Sequence, residues 1–354
     1  MFVSDRSLNN KNRCLALAPA KINLCLEVLG KRADGYHEIS TLMGTINLYD
    51  VLEFEKLESP EIEVVCNRPE LSSGKDNLVY RAALKLQEKL KEKDVKVPGV
   101  KIYLQKNIPW GAGLGGGSSD AATTLACLNQ LWSIDLDKRS LMQIGSELGS
   151  DIPFFFEGPL AWCTGRGEKV ETFSIKESLT YAPLYLVLIT INEHLSTKMV
   201  YEQLHTMENS AEKKENQSGK ESKSIDRKLG KVDNSQNQKS ERIERMINAL
   251  ETNRYEHIIE NLHNDLQLAA MELCPTIKKW MNCLKEIQAK GVLMTGSGSS
   301  IYTLCKDYLE AQRIVFALQA LPKNQKQDVE FLILQLSDPF ATEIKECNCG
   351  YLRS

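Results

Sequence analysis

Between Asn107 and Asp120 the chain reads Asn-Ile-Pro-Trp-Gly-Ala-Gly-Leu-Gly-Gly-Gly-Ser-Ser-Asp, with five glycines inside seven residues. Glycine reaches φ > 0 without strain and lets a ligand come close to the backbone. An apolar stretch with helical character, residues 121–131, follows directly. A glycine loop that feeds a helix N-terminus presents unpaired backbone N–H groups and the positive end of the helix dipole, which suits a phosphate. Ser118 and Ser119 add hydroxyls beside it. A plain turn with a serine cap would not need five glycines. A Walker-type loop requires Gly-Lys-Ser/Thr, and no lysine is present here. Gly111, Gly113 and Gly116 match GxGxxG formally. A dinucleotide site, however, also needs a hydrophobic second strand ending in an acidic residue about 20 residues further on. Asp135 and Asp137 lie at that distance in a polar turn, residues 133–140. The sequence therefore argues against a nicotinamide-dependent oxidoreductase.

Asp151 sits in Leu-Gly-Ser-Asp-Ile-Pro-Phe-Phe-Phe, residues 148–156. Pro153 disfavours helix at Ile152, so Asp151 is expected on a defined turn beside apolar groups. An aspartate there can take the proton of an attacking hydroxyl or cap a helix, and spacing alone leaves both open. Lys21 and Asn23 alternate with Ile22, Leu24 and Leu26. A strand would put the first two on one face and the apolar set on the other. A lysine facing a cleft would hold a nearby aspartate ionised and stabilise a developing alkoxide; a solvated lysine at a strand start is the plain alternative. Tyr36 and His37 follow the turn residues Asp34 and Gly35, which suit a hairpin. An aromatic ring and an imidazole there could stack on and hydrogen-bond to a pyrimidine, or could form a simple edge pair. The five histidines have no ligand spacing, so no zinc site is expected.

The elements that must hold these residues alternate along the chain. Strands are predicted over 15–29, 36–54 (one or two), 100–106 and 182–191, and a strand-turn-strand unit over 291–305. Helices are predicted over 76–93, from the spacing of Leu78, Ala82, Leu86 and Leu90, and over 118–131, 141–148 and 242–273. Mixed strands and helices of this kind indicate an α+β protein. Residues 208–240 are rich in Lys, Glu, Ser, Asn, Gln and Gly with few apolar side chains. Such a segment cannot bury enough surface to offset its ordering entropy and is expected to be a disordered insertion.

The 354 residues suit two domains. A net charge of −3 gives no basic excess for nucleic acid. Ten scattered cysteines without a CxxC pair indicate reduced thiols in a cytoplasmic protein, and Cys347 and Cys349 lie in a polar tail without further ligands. The start of the chain lacks a secretion signal, and its longest apolar run, 182–191, is too short to span a bilayer.

Three segments in order resemble the motifs of the GHMP kinases, a family of small-molecule kinases. They are Pro-Ala-Lys-Ile-Asn-Leu at 19–24, the glycine loop with Ser-Ser-Asp-Ala-Ala after it, and Thr-Gly-Ser-Gly-Ser-Ser at 295–300. Arg-Ala-Asp-Gly-Tyr-His at 32–37 and Gly-Ser-Asp-Ile-Pro at 149–153 resemble, within that family, the branch acting on a cytidine-diphosphate sugar alcohol on the non-mevalonate route to isoprenoids. The resemblance implies a two-lobed α+β fold, with an N-terminal ribosomal-protein-like βαβ lobe over 1–178 and a ferredoxin-like lobe over 179–354. It implies ATP and Mg²⁺, the metal carried mainly by the phosphates. Lys21 and Asp151 would be catalytic. Pro109, Gly111, Ala112, Gly113, Leu114, Gly115, Gly116, Gly117, Ser118 and Ser119 would hold ATP, with Asn77 and Lys106 nearby. Asn23, Tyr36, His37, Thr197 and Tyr201 would contact the acceptor. The partner is a small molecule, with no nucleic acid or membrane, and the protein is expected to be a monomer or weak homodimer. A mevalonate- or homoserine-type kinase of the same family is the alternative. A scaffold role for 208–240 stands as an addition to the chemistry.

Overall fold

The computed structural model describes residues 2–3, 12–92, 97–173, 183–218, 239–322, 326 and 328–336. Two antiparallel-rich sheets form its frame. The larger sheet runs in the order β1 (Phe2–Val3), β2 (Arg13–Lys31), β3 (His37–Leu57), β5 (Gly99–Gln105), β4 (Ile62–Cys66). β6 (Leu160–Gly165) pairs with the first part of β3, and β7 (Lys169–Thr172) pairs with β6. The second sheet has the order β10 (Val292–Met294), β11 (Ile301–Cys305), β8 (Tyr185–Ile191), β12 (Val329–Gln335). The mixed α+β class is as expected.

Alternation builds three apolar layers from these strands. Ala16 and Ala18 of β2 pack with α1 (Leu78–Glu92), α2 (Gly116–Leu131) and α3 (Lys138–Leu148) on one side of the large sheet. Ile22 and Leu24 pack between the sheets against Leu186, Leu188, Tyr302 and Leu304. Val187, Ile189 and Ile301 turn to the far side of the small sheet, where Trp280 and Ile314 cover them. β2 changes layers because its pairing with β3 shifts register at Pro19/Ala20, Asn23/Cys25 and Val28/Gly30. Such bulges re-aim side chains along a strand.

Several boundaries differ from the sequence expectation. α1 starts at Leu78, because Asn77 Oδ1 accepts from Val79 N at 2.9 Å and so caps it. α2 starts at Gly116, two residues before the predicted Ser118. The predicted helix over 242–273 is three helices, α6 (Glu241–Glu251), α7 (Tyr255–Asn261) and α8 (Gln267–Leu273). Asn253, at φ 50°, ends the first, and β9 (His263–Asn264), which pairs with β2, separates the other two. His263 is thus on a strand and not on a helix. The expected disordered segment 208–240 is corrected at its start and its end. Helix α5 (Thr197–Ser218) runs into it, and Ser240 caps α6 by accepting from Ile243 N. The remainder of that segment, the lobe boundary at 178/179, and Cys347 and Cys349 lie outside the described residues. No helix among the described residues is long and apolar enough to cross a membrane.

Candidate active site

The three motif segments, far apart in sequence, meet at one point. Lys21 Nζ donates to Asn23 Oδ1 at 2.6 Å and to Gly113 O at 2.9 Å. Lys21 N donates to Leu114 O, which lays the glycine loop along β2. Thr295 Oγ1 receives the Asn23 N–H at 3.1 Å and lies 3.3 Å from Gly113 O. Ser300 N donates to Ala112 O. Approach this close needs glycine. A Cβ on Gly113, at φ +77°, would fall 2.2 Å from Thr295 O.

Asp151 completes the point. Its Oδ2 lies 4.0 Å from Lys21 Nζ, at the outer limit of an ion pair. The cap alternative does not hold, because the short helix after it, α4 (Phe154–Glu157), has Pro153 at its N-cap. Lys21 is buried, and desolvation lowers its pKa, opposed by the field of Asp151. A desolvated ammonium whose charge depends on one nearby carboxylate is strongly coupled to that carboxylate. Cys163 is buried beside the pair, and burial pushes its thiol up, away from reactivity.

The loop itself divides in two. Gly111, Gly113 and Gly115 have positive φ, and Gly115, at φ 70°, is the N-cap of α2. Gly116 and Gly117 already belong to the first helical turn and have no unusual φ; Gly116 stands close to its neighbours, whereas a Cβ on Gly117 would make an ordinary contact 3.6 Å from Leu78 Cδ1. A Cβ on Gly116 would sit 3.1 Å from Lys106 Nζ and from Ile108 Cγ2. Ser119 is fully buried in that turn, and its Oγ is without a hydrogen-bond partner among the described residues. Gly115, Gly116, Gly117 and Ser118 at the N-terminus of α2 line a cavity, and such a helix start fits a phosphate chain. Gly115→Val should therefore weaken nucleotide binding. A β-branched residue at this φ carries about 1–3 kcal/mol of strain, and its Cβ would press on Lys21 Cγ at 2.9 Å. Calorimetric titration with a non-hydrolysable ATP analogue should show a loss of roughly 5- to 150-fold in a folded variant; unchanged affinity would reject the phosphate-loop assignment.

Lys106 lines the same cavity and is also engaged by two carboxylates. Its ammonium is buried between Asp50 and Asp120, with Asp120 Oδ2 at 2.7 Å. Asp50 also accepts from Asn107 N at 2.6 Å and Ile108 N at 2.8 Å, and Asn67 Oδ1 accepts from Lys106 N at 2.8 Å. The strand-to-loop corner is thus fastened to α2 from below. Burial raises Asp120 to about 7 despite Lys106, and Asp50 adds to the rise. Asp120 therefore meets Lys106, which offsets the repulsion it would otherwise exert on a phosphate. Asp50 and Asn67 carry no motif that sequence reading could find; only their long-range contacts reveal them.

All of this opens on that cavity, of about 1110 Å³. Asn77, Lys106, the loop, Tyr36, His37, Thr197 and Tyr201 line it, with Lys21, Asn23 and Asp151 also on its wall. Ser119 is set behind the wall. His37 and Tyr201 stack on each other with centroids 4.4 Å apart. Tyr36 is 55% exposed, with the Arg166 guanidinium 5.0 Å from its ring centroid. Thr197 Oγ1 lies 3.0 Å from Ser297 Oγ of the third motif. Arg166 was missed by the sequence reading, although its place between Gly165 and Gly167, both at positive φ, marks a tight turn.

The chain is similar to known proteins along most of its length. The family model for the GHMP kinases N terminal domain matches residues 77–159, and that for the GHMP kinases C terminal domain matches 246–324. The 4-diphosphocytidyl-2-C-methyl-D-erythritol kinase of Caldicellulosiruptor bescii is 38% identical over 308 residues, covering 87% of this chain and 94% of that protein. A crystal structure of 4-(cytidine 5'-diphospho)-2C-methyl-D-erythritol kinase superposes with a TM-score of 0.64 at 30% identity, covering 91% of this chain and 99% of that one. L. major mevalonate kinase superposes with a TM-score of 0.66, covering 96% of this chain and 99% of that one, but at 14% identity it shares the fold alone. The chain belongs to the GHMP kinase family, alongside these 4-diphosphocytidyl-2-C-methyl-D-erythritol kinases.

Proposed function

We propose that this chain transfers the γ-phosphoryl group of ATP to the 2-hydroxyl of 4-diphosphocytidyl-2-C-methyl-D-erythritol. The observation that carries the reading is the meeting of the glycine loop with Lys21 and Asp151 on one cavity wall, in a chain 38% identical to a kinase of that name. Phosphoryl transfer asks the protein mainly for positioning and charge stabilisation. The loop and the first turn of α2 hold the triphosphate. The acceptor hydroxyl lies at Asp151, whose carboxylate takes its proton as the hydroxyl oxygen bonds to the γ-phosphorus. The bond from that phosphorus to the β-bridging oxygen breaks, and ADP leaves. Lys21 is held in place by Asn23 and Gly113 O, and it stabilises both the ionised Asp151 and the negative charge that develops on the attacking oxygen.

Among the described residues no cluster of three or more His, Cys, Asp or Glu side chains could hold a metal ion. Mg²⁺ would be carried mainly on the phosphates of ATP, since Mg²⁺ keeps most of its water and takes few protein ligands. When bound it would neutralise phosphate charge. A cytoplasmic monomer or weak homodimer remains part of the proposal, with sedimentation analysis as its test for assembly.

The deciding experiment is a turnover assay with ATP and a panel of alcohols that includes the cytidine-diphosphate acceptor, mevalonate and homoserine. Turnover confined to mevalonate or homoserine would reject the acceptor assignment. Tyr36, His37 and Tyr201 give the acceptor side three aromatic rings, which a nucleobase would use and a small hydroxy acid would not. Tyr36→Ala should raise KM for the cytidine acceptor by roughly 5- to 150-fold, the loss of one base-stacking contact, and leave KM for ATP near wild type. An effect confined to ATP would place Tyr36 on the donor side.

A further inference from the structure

Both acceptors that hold the Lys21 ammonium, Asn23 Oδ1 and Gly113 O, have one neighbour in common. Thr295 Oγ1 lies 3.3 Å from each. A threonine hydroxyl accepts up to two hydrogen bonds and donates one. Here it accepts from Asn23 N, and its single proton goes to one of those two oxygens. The Asn23 amide is fixed from its other end as well. The Thr41 hydroxyl donates to Cys25 O at 2.6 Å and receives the Asn23 Nδ2–H at 2.8 Å, which leaves Oδ1 turned to Lys21.

Thr295 is fully buried, behind the wall that Gly296 and Ser297 help to form. Its backbone is held independently of its hydroxyl. Thr295 N donates to Ser300 O at 3.1 Å, and Gly298 N donates to Thr295 O at 3.0 Å. On either side of it, Met294 O and Gly296 O each accept from Asn264 Nδ2 at 2.8 Å. Asn264 belongs to β9, which pairs with β2, so the turn that carries Thr295 is tied to the strand that carries Lys21 and Asn23. A buried polar network with its members satisfied holds one arrangement.

We propose that Thr295 is a positioning residue for the Lys21 ammonium: its hydroxyl, on a backbone clamped by Asn264, fixes the two oxygens that aim Lys21 at Asp151. The inference rests on the kinase reading above, in which Lys21 stabilises the developing charge.

The test is steady-state kcat and KM, with the cytidine-diphosphate acceptor, for the wild type, Thr295→Val, Lys21→Met and the double variant. Thr295→Val keeps the shape of the side chain and removes the hydroxyl. It should lower kcat roughly 5- to 150-fold, the range for one buried hydrogen-bonding group left unpaired. KM for ATP should stay within a few-fold, because the phosphates rest on Gly115 and the first turn of α2. Thr295→Ser, which keeps the hydroxyl, should stay within a few-fold of wild type. In the Lys21→Met background Thr295→Val should cost at most a few-fold more, since the ammonium it positions is gone. A role confined to packing would cost the same factor in both backgrounds, and that result would overturn the inference. So would unchanged kcat in a folded Thr295→Val protein, or a raised KM for ATP with kcat intact, which would make Thr295 a support of the phosphate loop. If Thr295→Val does not fold, Thr295→Ala, which is smaller and leaves room for water, takes its place in the same comparison. A wild-type chain that does not phosphorylate the acceptor, or an unimpaired Lys21→Met, would overturn the functional reading and this inference with it. An impaired Lys21→Met beside an unimpaired Thr295→Val would overturn the inference alone, so the two failures are distinguishable.

Discussion

Asp151→Asn should lower kcat by about 10²–10⁴, the usual contribution of a positioned general base. The substitution keeps the size and hydrogen-bonding shape of the side chain and removes its charge and basicity. Asn and Asp cap helices about equally well, so a capping residue would tolerate the change, and here the N-cap is Pro153 in any case. The carboxylate is only partly buried, at 35% side-chain exposure, and faces the buried Lys21 ammonium across 4.0 Å. That placement leaves room for an acceptor hydroxyl to approach it from the cavity. Nucleotide affinity should change little, because the phosphates rest on Gly115 and the first turn of α2. Steady-state kcat, with folding checked by circular dichroism, is the measurement. A folded variant within a few-fold of wild type would reject Asp151 as the base and leave the nucleotide site standing.

Lys21→Met should lower kcat by about 10²–10³, the scale for removing one preorganised stabiliser of developing charge. Methionine preserves the length and apolar body of the side chain, so packing under Gly115 is retained. What is lost is the ammonium that Asn23 Oδ1 and Gly113 O hold toward Asp151. Burial lowers the pKa of Lys21 below the ordinary lysine value of 10.5. Deprotonation on raising the pH removes the needed cation, so the alkaline limb of kcat/KM, which reports the free enzyme, should fall below 10.5 in the wild type. That limb should be absent in Lys21→Met. The double variant should lose less than the product of the two single effects, because both residues act on one proton and one developing charge. Fully multiplicative losses would mean that the two act independently, against the shared mechanism.

Local regularities made much of this legible from sequence. The phosphate loop is a short-range device: glycine spacing and the helix that follows are both set within a dozen or so residues. Strand alternation put Lys21 and Asn23 on one face, and they are hydrogen-bonded to each other there, but the register shift at Asn23/Cys25 takes Leu26 out of the layer of Ile22 and Leu24. The hairpin at Asp34 and Gly35 followed from turn chemistry, and Gly35 has φ 87°. The insertion was overstated, because composition alone cannot see that the N-terminal half of α5 packs on the small sheet through Val200 and Leu204 and that the helix continues beyond them.

The tertiary structure decided which charged groups find each other. Periodicity gave no sign that the ammonium of Lys106 would be held between Asp50 and Asp120. Nor could it show that the helical run at 242–273 would be broken so that His263 and Asn264 pair with β2. Trp110 read as one more loop residue until His194, brought from the end of β8, stacked behind it. The physical reason is common to all three. A side chain's local pattern fixes the face on which it stands, but its partner is fixed by which elements pack against that face. In a buried site the desolvation of each charge makes that choice of partner decisive.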